Sequence, residues 1–327
     1  MIKWTQGIGL ALAVLTLALP LAAVAQQQPW PNRVVRVIST SPPGGSVDLL
    51  ARILAEDFAR AFGQPFVVEN RTGANANIGA ELVVRAPADG HMLFVAAAGP
   101  FSINAIIMDS MPFNPKTDIA PIAMLGISPL VLVVHPSVPA KDLKELLAWM
   151  RSQHGKVSYA SPAIASTGQL AMELLKSLTG VEATHIPYKG MVAATADLLA
   201  GRVPMGFVNT STIIPYIRAG QLRAIAVAEL KRIAAAPEVP TVAESGLAGF
   251  EVTTWFGLGT RAGTPREILH RLSEVAARAL ARPEVLARLS NIGLEPRPMG
   301  PDQFAEYVRV ESAKWEAIIR RTGAKAD

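Results

Sequence analysis

The chain has 327 residues, of which half are apolar and 17% are charged, so it carries enough hydrophobic material for a large core and is not typical of a disordered polymer. It has no cysteine, which excludes disulfides, thiol catalysis and cysteine-ligated metals. The net charge is +5 with scattered basic residues, so a nucleic-acid surface is not expected and anionic small molecules are favoured.

The first 25 residues have the order of a secretory signal peptide. Lys3 supplies a positive charge, residues 8–24 are apolar and uncharged, and residues 23–25 (AVA) form a small-x-small cleavage site. A membrane anchor is the alternative, but the apolar run is near the lower limit for spanning a bilayer and contains Pro20. We therefore predict cleavage after Ala25 and a periplasmic mature chain of about 300 residues, the size of two domains.

Strands and helices alternate along the first half of the mature chain. Short β-branched runs predict strands, and apolar residues at helical spacing predict helices between them. In chain order these are strand 34–38, helix 48–62, strand 66–68, helix 78–85 and strand 92–96. This βαβαβ order predicts a parallel sheet with helices on both faces.

A second unit of the same style follows. Its predicted elements are strand 130–134, helix 140–151, strand 157–160, helix 167–178, strand 184–187, helix 193–199, and strands 205–208 and 222–228. The remaining elements are an extended segment 250–258, helix 265–281, a short helix from 283 and a last helix 302–321. If the chain crosses between the units near 130–134 and 251–257, it forms two lobes with a cleft between them, where ligands usually bind.

The first strand-to-helix loop, residues 42–48 (PPGGSVD), is a candidate ligand site. Its glycines allow close approach to the backbone, and the following helix start presents free N–H groups that suit a carboxylate. The spacing is neither that of a P-loop nor that of a dinucleotide-binding turn. An ordinary turn, with Asp48 near the first helical turn for capping, is an equal alternative.

Two further loops precede helices in the second unit. In residues 161–169, capping by Ser166 or Thr167 is the simpler explanation, and a pair of hydroxyls facing the cleft is the functional one. In residues 188–190 (YKG), a surface turn and a pocket wall formed by Tyr188 are equally open.

Residues for catalysis do not stand out. The five histidines are dispersed without metal-ligand spacing, and there is no G-x-S-x-G elbow. Asp197 and Glu173 are interpreted as solvated or capping carboxylates, and the sequence contains no obvious acid–base pair. We therefore expect no metal, no cofactor and no enzymatic activity, with an exported enzyme on a similar scaffold as the alternative.

Several segments carry a family resemblance that runs over essentially the whole mature chain. They are residues 34–38 (VVRVI), 43–52 (PGGSVDLLAR), 68–74 (VENRTGA), 77–80 (NIGA), 88–90 (ADG), 185–190 (HIPYKG), 197–201 (DLLAG) and 239–246 (VPTVAESG). Together they resemble the periplasmic substrate-binding proteins of tripartite tricarboxylate transporters, also called the Bug family.

The resemblance implies an α/β, two-lobed fold of the type II periplasmic-binding-protein (flytrap) kind, with a mostly parallel sheet in each lobe and two crossing hinge strands. Lobe 1 would comprise residues 26–130 and 254–327, and lobe 2 residues 131–253. Family members hold small carboxylates mainly through backbone N–H groups, hydroxyls and bridging waters. Carried over to this chain, the ligand-binding residues are Ser39, Pro43, Gly44, Gly45, Asp48, Asn75, Ala98 and Gly99 in lobe 1, and Ser161, Ile164, Ser166, Thr167, Tyr188, Lys189 and Asn209 in lobe 2.

The resemblance also implies partners. The expected role is to deliver a small carboxylate to membrane transporter subunits, with presentation to a sensor kinase as the alternative, and the protein is expected to be a monomer. The chain departs from the usual family pattern at Thr40 and Ser41, Val47, Asn75 and Ala76, Gln169 and Asn209. The changes at Gln169 and Asn209 replace titratable residues with amides.

Overall fold

The computed structural model describes residues 30–322. The predicted signal peptide, residues 1–25, lies outside the described residues. Within them, no helix has both the length and the apolar character needed to cross a membrane.

Strands and helices alternate, as the periodicity predicts. The strands within residues 30–322 are β1 (Val35–Ser39), β2 (Phe66–Asn70), β3 (Met92–Ala97), β4 (Ile119–Val134), β5 (Ser158–Ser161), β6 (Thr184–Pro187), β7 (Met205–Asn209), β8 (Arg223–Val227), β9 (Thr253–Arg261) and β10 (Glu295–Met299). The helices are α1 (Ser46–Phe62), α2 (Asn77–Val84), α3 (Asn104–Ile107), α4 (Pro115–Asp118), α5 (Leu143–Ser152), α6 (Thr167–Thr179), α7 (Met191–Leu199), α8 (Thr210–Arg218), α9 (Arg266–Leu280), α10 (Pro283–Asn291) and α11 (Pro301–Thr322). A 3₁₀ turn (Ala74–Ala76) precedes α2, and a π-helical turn (Gly99–Ile103) precedes α3.

Helix α1 shows how the pattern produces the fold. Its apolar residues Leu50, Leu54 and Phe58 recur at helical spacing and are completely buried on one face. The helix ends at Gly63, which adopts the left-handed conformation (φ +69°) and donates its N–H to the Ala59 carbonyl at 3.0 Å. The buried face packs against α9 and the strands beside β1, so the start of α1 is held at the end of that strand.

The strands form one hydrogen-bonded array in the order β2-β1-β3-β9-β4-β7-β5-β6, with β8 and β10 also paired to β4. Strands β1, β2 and β3 are parallel to one another, as are β5, β6 and β7, while every pairing of β4 or β9 is antiparallel. The predicted α/β class is confirmed, and the sheet is mixed because antiparallel strands join its two parallel groups.

Strand β4 runs through both parts of this array. From Ile119 to Pro129 it pairs with β9, and from Leu130 to Val134 it pairs with β7 and β8. We call β2, β1, β3, β9, β10 and the first part of β4 the first sheet, and β5, β6, β7, β8 and the second part of β4 the second sheet. The chain returns after β8, where Val252 donates its N–H to the Ala228 carbonyl at 2.8 Å immediately before β9 begins.

The C-terminal helix packs where the two sheets meet. Phe304 on α11 lies 5.6 Å from the ring of Trp255 on β9 and 5.5 Å from Phe101, with all three side chains buried. Trp315, which lies further along α11, is also fully buried. Since burying each aromatic side chain stabilises the fold by roughly 1.5–3 kcal/mol, α11 is firmly fixed over this junction.

Several elements escaped the sequence prediction, among them the short helices α3 and α4. The predicted strand 130–134 is the second part of a 16-residue strand, whose first part contains Pro121, Gly126 and Pro129. Proline and glycine have low strand propensity, but the pairing of β4 with β9 outweighs this local preference. The register of that pairing shifts beside Pro121 and Gly126. Helix α8 contains Pro215, and strand β10 contains two prolines, so neither has a clear local signal.

Candidate functional site

The glycine turn joins β1 to α1 at the carboxyl end of the first sheet. Pro43 and Gly44 are exposed, and Gly44 has a φ of +85°, a left-handed conformation that favours glycine. Gly45 is the N-cap residue of α1, and its N–H donates to the Pro42 carbonyl at 3.4 Å. No side chain of the described residues caps this helix, so its first N–H groups are available to an anion.

Asp48 fixes the turn from inside. Its buried carboxylate accepts four hydrogen bonds, from the Gly44 N–H (3.0 Å), the Asn70 side-chain amide (2.7 Å) and two nitrogens of Arg52 (2.9 and 3.1 Å). Burial opposes ionisation, but the bonds from Arg52, Gly44 and Asn70 outweigh it and hold the pKa of Asp48 below its ordinary value. Since its oxygens are occupied, Asp48 is placed to support the turn.

Asn70 ties the same turn to β2. Besides Asp48, its amide donates to the Ser41 carbonyl at 2.9 Å. Ser39, the last residue of β1, is fully buried, and its hydroxyl donates to the same Ser41 carbonyl at 3.4 Å. Ser39 therefore stabilises the backbone of the turn through this hydrogen bond.

Three further predicted residues meet around Asn104. The Asn75 amide donates to the Asn104 side-chain oxygen at 2.5 Å, and the Asn104 amide donates to the Asn75 carbonyl at 2.9 Å. A methyl group added at Gly99 would lie 3.0 Å from that same Asn104 oxygen, and Ala98 is the buried residue before it. The sequence prediction missed Asn104, which has no motif of its own.

The 3₁₀ turn before α2 is strained. Ala74, Asn75 and Ala76 have φ values of +46°, +49° and +72°, although none of them is glycine. Asn75 and Ala76 are among the departures from the family pattern, and the backbone here has a conformation that suits glycine. Side chains in this region cost about 1 kcal/mol each or more, and such strain concentrates at functional sites.

Ser161, at the end of β5, is buried and internally bonded. Its hydroxyl donates to the Ala163 carbonyl at 2.8 Å and lies 2.6 Å from Nε2 of His185. Burial lowers the pKa of His185, which favours the neutral ring, and the tautomer decides whether Nε2 or the Ser161 hydroxyl is the donor.

The next residues begin α6. The Ser166 hydroxyl accepts the N–H of Gln169 at 3.3 Å and caps the helix. The Thr167 hydroxyl lies 2.5 Å from that of Thr254 on β9, so the start of α6 is bonded to a strand of the first sheet. Ile164 is half-buried in the loop beside them.

The loop before α7 has a half-buried tyrosine and an exposed lysine. Tyr188 donates its hydroxyl to Asp197 at 2.7 Å, and burial together with this bond raises the pKa of Tyr188 to about 12. Lys189 is exposed. The Gly190 N–H donates to the Pro162 carbonyl at 2.8 Å, which holds this loop against the one that begins α6.

The start of α8 faces the start of α1. The Ser46 hydroxyl donates to the Ser211 hydroxyl at 3.1 Å, across 165 positions of sequence. Ser128 on β4 donates to the same Ser211 oxygen at 3.1 Å, and Asn209 donates its amide to the Ser128 carbonyl at 3.3 Å. The serine cluster (Ser46, Ser128 and Ser211) thus links both sheets near the change of partner in β4.

The sequence prediction included Asn209 in this region but missed the whole serine cluster. Ser46 directly follows Gly45, and Asn209 begins an Asn-Thr-Ser run typical of a helix start. That run was a usable signal, but Pro215 six residues later obscured the helix that it begins.

The Ser46–Ser211 bond gives a testable coupling. We expect Ser46→Ala and Ser211→Ala to be non-additive by about 0.5–1.5 kcal/mol in urea unfolding, because each removes the same hydrogen bond. A double-mutant cycle measures this coupling. As a control, Ser46→Ala and Ser152→Ala, an exposed serine on α5, should be additive; additivity in the first pair would mean that the two hydroxyls do not interact.

Comparison with known proteins identifies the fold. Residues 50–324 match the family model of the tripartite tricarboxylate transporter family receptor, TctC. Protein BugT of Bordetella pertussis is 34% identical over 319 residues, with 97% of each chain covered. The solved structure of Rhodopseudomonas palustris Rpa4515 with adipate is 34% identical with a TM-score of 0.85, covering 90% of this chain and 99% of that one.

A second solved structure from the same organism is also similar to this chain. MatC (Rpa3494) from Rhodopseudomonas palustris with bound malate is 32% identical with a TM-score of 0.81, covering 88% of this chain and 99% of that one. The match extends over both sheets and the crossing strands, and it accounts for a two-lobed fold with helix starts gathered where the sheets meet. This chain belongs to the TctC receptors of tripartite tricarboxylate transporters, the Bug family.

Proposed function

We propose that the protein captures a small dicarboxylate in the periplasm and delivers it to a tripartite tricarboxylate-type transporter. The observation that carries this proposal is the meeting of two helix starts, one from each sheet, at the Ser46–Ser211 contact. Neither is capped by the side chain of its own N-cap residue, although the Ser128 hydroxyl accepts the Ser211 N–H of α8 at 3.3 Å. Helix N-termini and hydroxyls stabilise a carboxylate without a paired cation. Relatives bind adipate and malate, which supports a dicarboxylate as the ligand class.

The proposed ligand contacts are divided between backbone and side chains. The turn at Gly44 and Gly45 leaves the first N–H groups of α1, which follow Gly45, open to the ligand, and Ser166, Thr167 and Asn209 approach from the second sheet. Lys189 is the single cation among the predicted contacts, and it is exposed. Water-bridged contacts of this kind cost little entropy and suit a receptor that must release its ligand.

Closure of two lobes would bring these groups together. We propose residues 26–130 and 254–327 as lobe 1 and residues 131–253 as lobe 2. The change of partner in β4 between Pro129 and Leu130, and the start of β9 at Thr253, support these boundaries. The ligand then shifts the open–closed balance by the contacts that it makes only in the closed form.

The membership of an exported receptor family agrees with the sequence of the first 25 residues. We propose removal of residues 1–25 after Ala25, a monomeric mature protein, and membrane transporter subunits as partners in preference to a sensor kinase. Family membership supports the transporter as the partner.

The Ser161–His185 contact is the feature closest to an enzyme site, and its hydrogen bonds support binding instead. The Ser161 hydroxyl also has the Ala163 carbonyl as an acceptor at 2.8 Å, so its proton is not committed to His185 as a general base requires. Glu173, the nearest acid to His185, accepts the Tyr159 hydroxyl at 2.6 Å and Lys176 at 2.9 Å. We therefore propose that the protein is not an enzyme.

Thermal-shift screening of the mature protein tests the ligand class. The panel comprises mono-, di- and tricarboxylates, aromatic acids and amides, each far above its expected dissociation constant. We expect a dicarboxylate of the size of malate or adipate to raise the melting temperature by about 5 °C, because ligand at 100 times Kd stabilises by roughly 2.7 kcal/mol. A response only to neutral or cationic compounds would refute the proposal.

A further inference from the structure

A half-buried carboxyl group, with one oxygen fully buried, lies where the chain returns from the second sheet to the first. Glu229 follows Ala228, whose N–H donates to the Leu130 carbonyl at 2.8 Å and whose carbonyl accepts the Val252 N–H at 2.8 Å. Leu130 and Val252 are the residues at which the two crossing segments change sheets. Glu229 is therefore the residue next to Ala228, whose backbone is hydrogen-bonded to both crossing segments.

The Glu229 carboxyl is poorly satisfied as an anion. Its Oε1 atom is buried and makes no hydrogen bond to any residue in the range 30–322, and the buried Thr253 hydroxyl beside it likewise has no partner there. An ionised carboxylate is desolvated at Oε1, with the Thr253 hydroxyl as its nearby donor, so burial favours the neutral acid. A protonated carboxyl supplies the missing O–H, for which the Thr253 oxygen is an acceptor.

The charged groups around Glu229 come from every element that meets there. Glu251 lies on the crossing segment before β9, and Glu295 and Arg297 lie on β10 of the first sheet. Tyr307 on α11 also feels the charge of Glu229. Burial raises the pKa of Glu229 to about 7; Thr253 and Arg297 act against this, and the negative charges of Glu251 and Glu295 reinforce it.

Two other acids near the crossing share one counter-charge. Lys314 on α11 lies 3.2 Å from Glu311 and 3.7 Å from Glu251, although Glu311 Oε2 is itself buried without a partner among residues 30–322. A cavity of about 550 Å³ is lined in part by Glu251 and Lys314. Arg297 is a positive charge that acts on both Glu229 and Tyr307.

We propose that Glu229 is a proton-binding site in the hinge that couples lobe closure, and hence ligand capture, to pH. In the present conformation the Ser46–Ser211 bond joins the two lobes, and the Glu229 carboxyl lies beside the crossings with Oε1 unpartnered among residues 30–322. Loss of its proton places a third negative charge among Glu251 and Glu295, and turning the lobes apart relieves that repulsion. Closure therefore takes up a proton near neutral pH, and a higher pH favours the open form.

The inference deepens the proposed function but does not depend on it for its test. The protein has no cysteine, so Lys116→Cys and Lys156→Cys, both exposed and one on each side of the hinge, accept a unique pair of spin labels. Pulsed electron spin resonance on the ligand-free protein at pH 6 and pH 8 then reports the lobe separation. We expect a longer separation at pH 8, and the same short separation at both pH values in Glu229→Gln, which resembles the protonated acid.

Ligand affinity is the second readout. With adipate as the probe, we expect Kd of the unaltered protein to rise by up to about tenfold from pH 6 to pH 8, because a difference of one in the pKa of Glu229 between open and closed forms corresponds to a factor of ten. Glu229→Gln should bind equally at both pH values, and the exposed Glu238→Gln, on the same connecting segment, should behave like the unaltered protein.

The spin-label and affinity measurements can each overturn the coupling of lobe closure to Glu229. A pH response that persists in Glu229→Gln, or a lobe separation that does not change with pH in the unaltered protein, overturns the inference. If Glu229→Gln does not fold, Glu295→Gln serves instead, since removing that repelling charge should move the midpoint of the pH response to a lower pH. A normal pH response of the ligand-free protein without any carboxylate binding would refute the proposed function and leave the hinge site intact.

Discussion

Replacing Gly45 with valine is expected to weaken carboxylate binding about 100-fold while the fold survives, because charge-assisted hydrogen bonds from the helix start contribute about 1.5–3 kcal/mol each. Gly45 has φ −77° and ψ 167°, which any residue can adopt, so the backbone is not strained by a side chain. A Cβ there would lie 3.1 Å from the Ser41 hydroxyl, which can rotate. The valine methyl groups would cover the N–H groups of α1.

Calorimetric titration with the carboxylate found in the thermal-shift screen measures this loss, and the melting temperature without ligand reports the fold. Gly300→Val is a matched control, because Gly300 likewise precedes a helix, α11, and its nearest neighbour to an added Cβ is the Ser273 hydroxyl at 3.7 Å. Unchanged binding by Gly45→Val would remove the glycine turn from the site.

Replacing Asp48 with alanine is expected to destabilise the protein by about 3 kcal/mol and to weaken binding as well. The substitution removes the buried acceptor shared by the Gly44 N–H, the Asn70 amide and the Arg52 guanidinium. The turn then loses the interaction that holds Gly44 in its left-handed conformation. Urea unfolding measures the stability, and titration measures the affinity.

A matched control and a pH dependence sharpen this prediction. Asp118 accepts the Asn114 N–H at 2.8 Å in the same i to i+4 arrangement, but it is more exposed, so Asp118→Ala should cost much less stability than Asp48→Ala. The pKa of Asp48 is lowered from 3.8 in the folded state, so its contribution is present above that pH and is lost as pH falls. Equal costs for both substitutions would contradict the supporting role of Asp48.

For Glu229 we expect a pH dependence of stability opposite to that of Asp48, because its pKa is raised. Its pKa is raised from 4.5 to about 7, so its contribution is complete below pH 4.5 and is lost as pH rises through about 7. The melting temperature of Glu229→Gln should therefore exceed that of the unaltered protein at pH 8 by more than at pH 5. This comparison is a ligand-free companion to the spin-label measurement.

Local sequence determined most of the secondary structure and the position of the loops. Helix α1 follows from the spacing of Leu50, Leu54 and Phe58 and from Gly63 at its end. The glycine turn lies at the end of a strand because its residues cannot continue either neighbouring element. These features depend on contacts between residues a few positions apart, which hydrophobic period and turn chemistry report directly.

Tertiary structure decided which of these local features work together. Ser46 and Ser211 are 165 positions apart, and only the shared strand β4 brings their helices face to face. Asp48 has the sequence position of a ligand contact, yet Asn70 and Arg52 occupy its oxygens. Glu229 has no motif, and its chemistry arises from burial beside Thr253, Glu251 and Glu295. Burial and long-range pairing depend on the whole chain, so a local pattern carries no record of them.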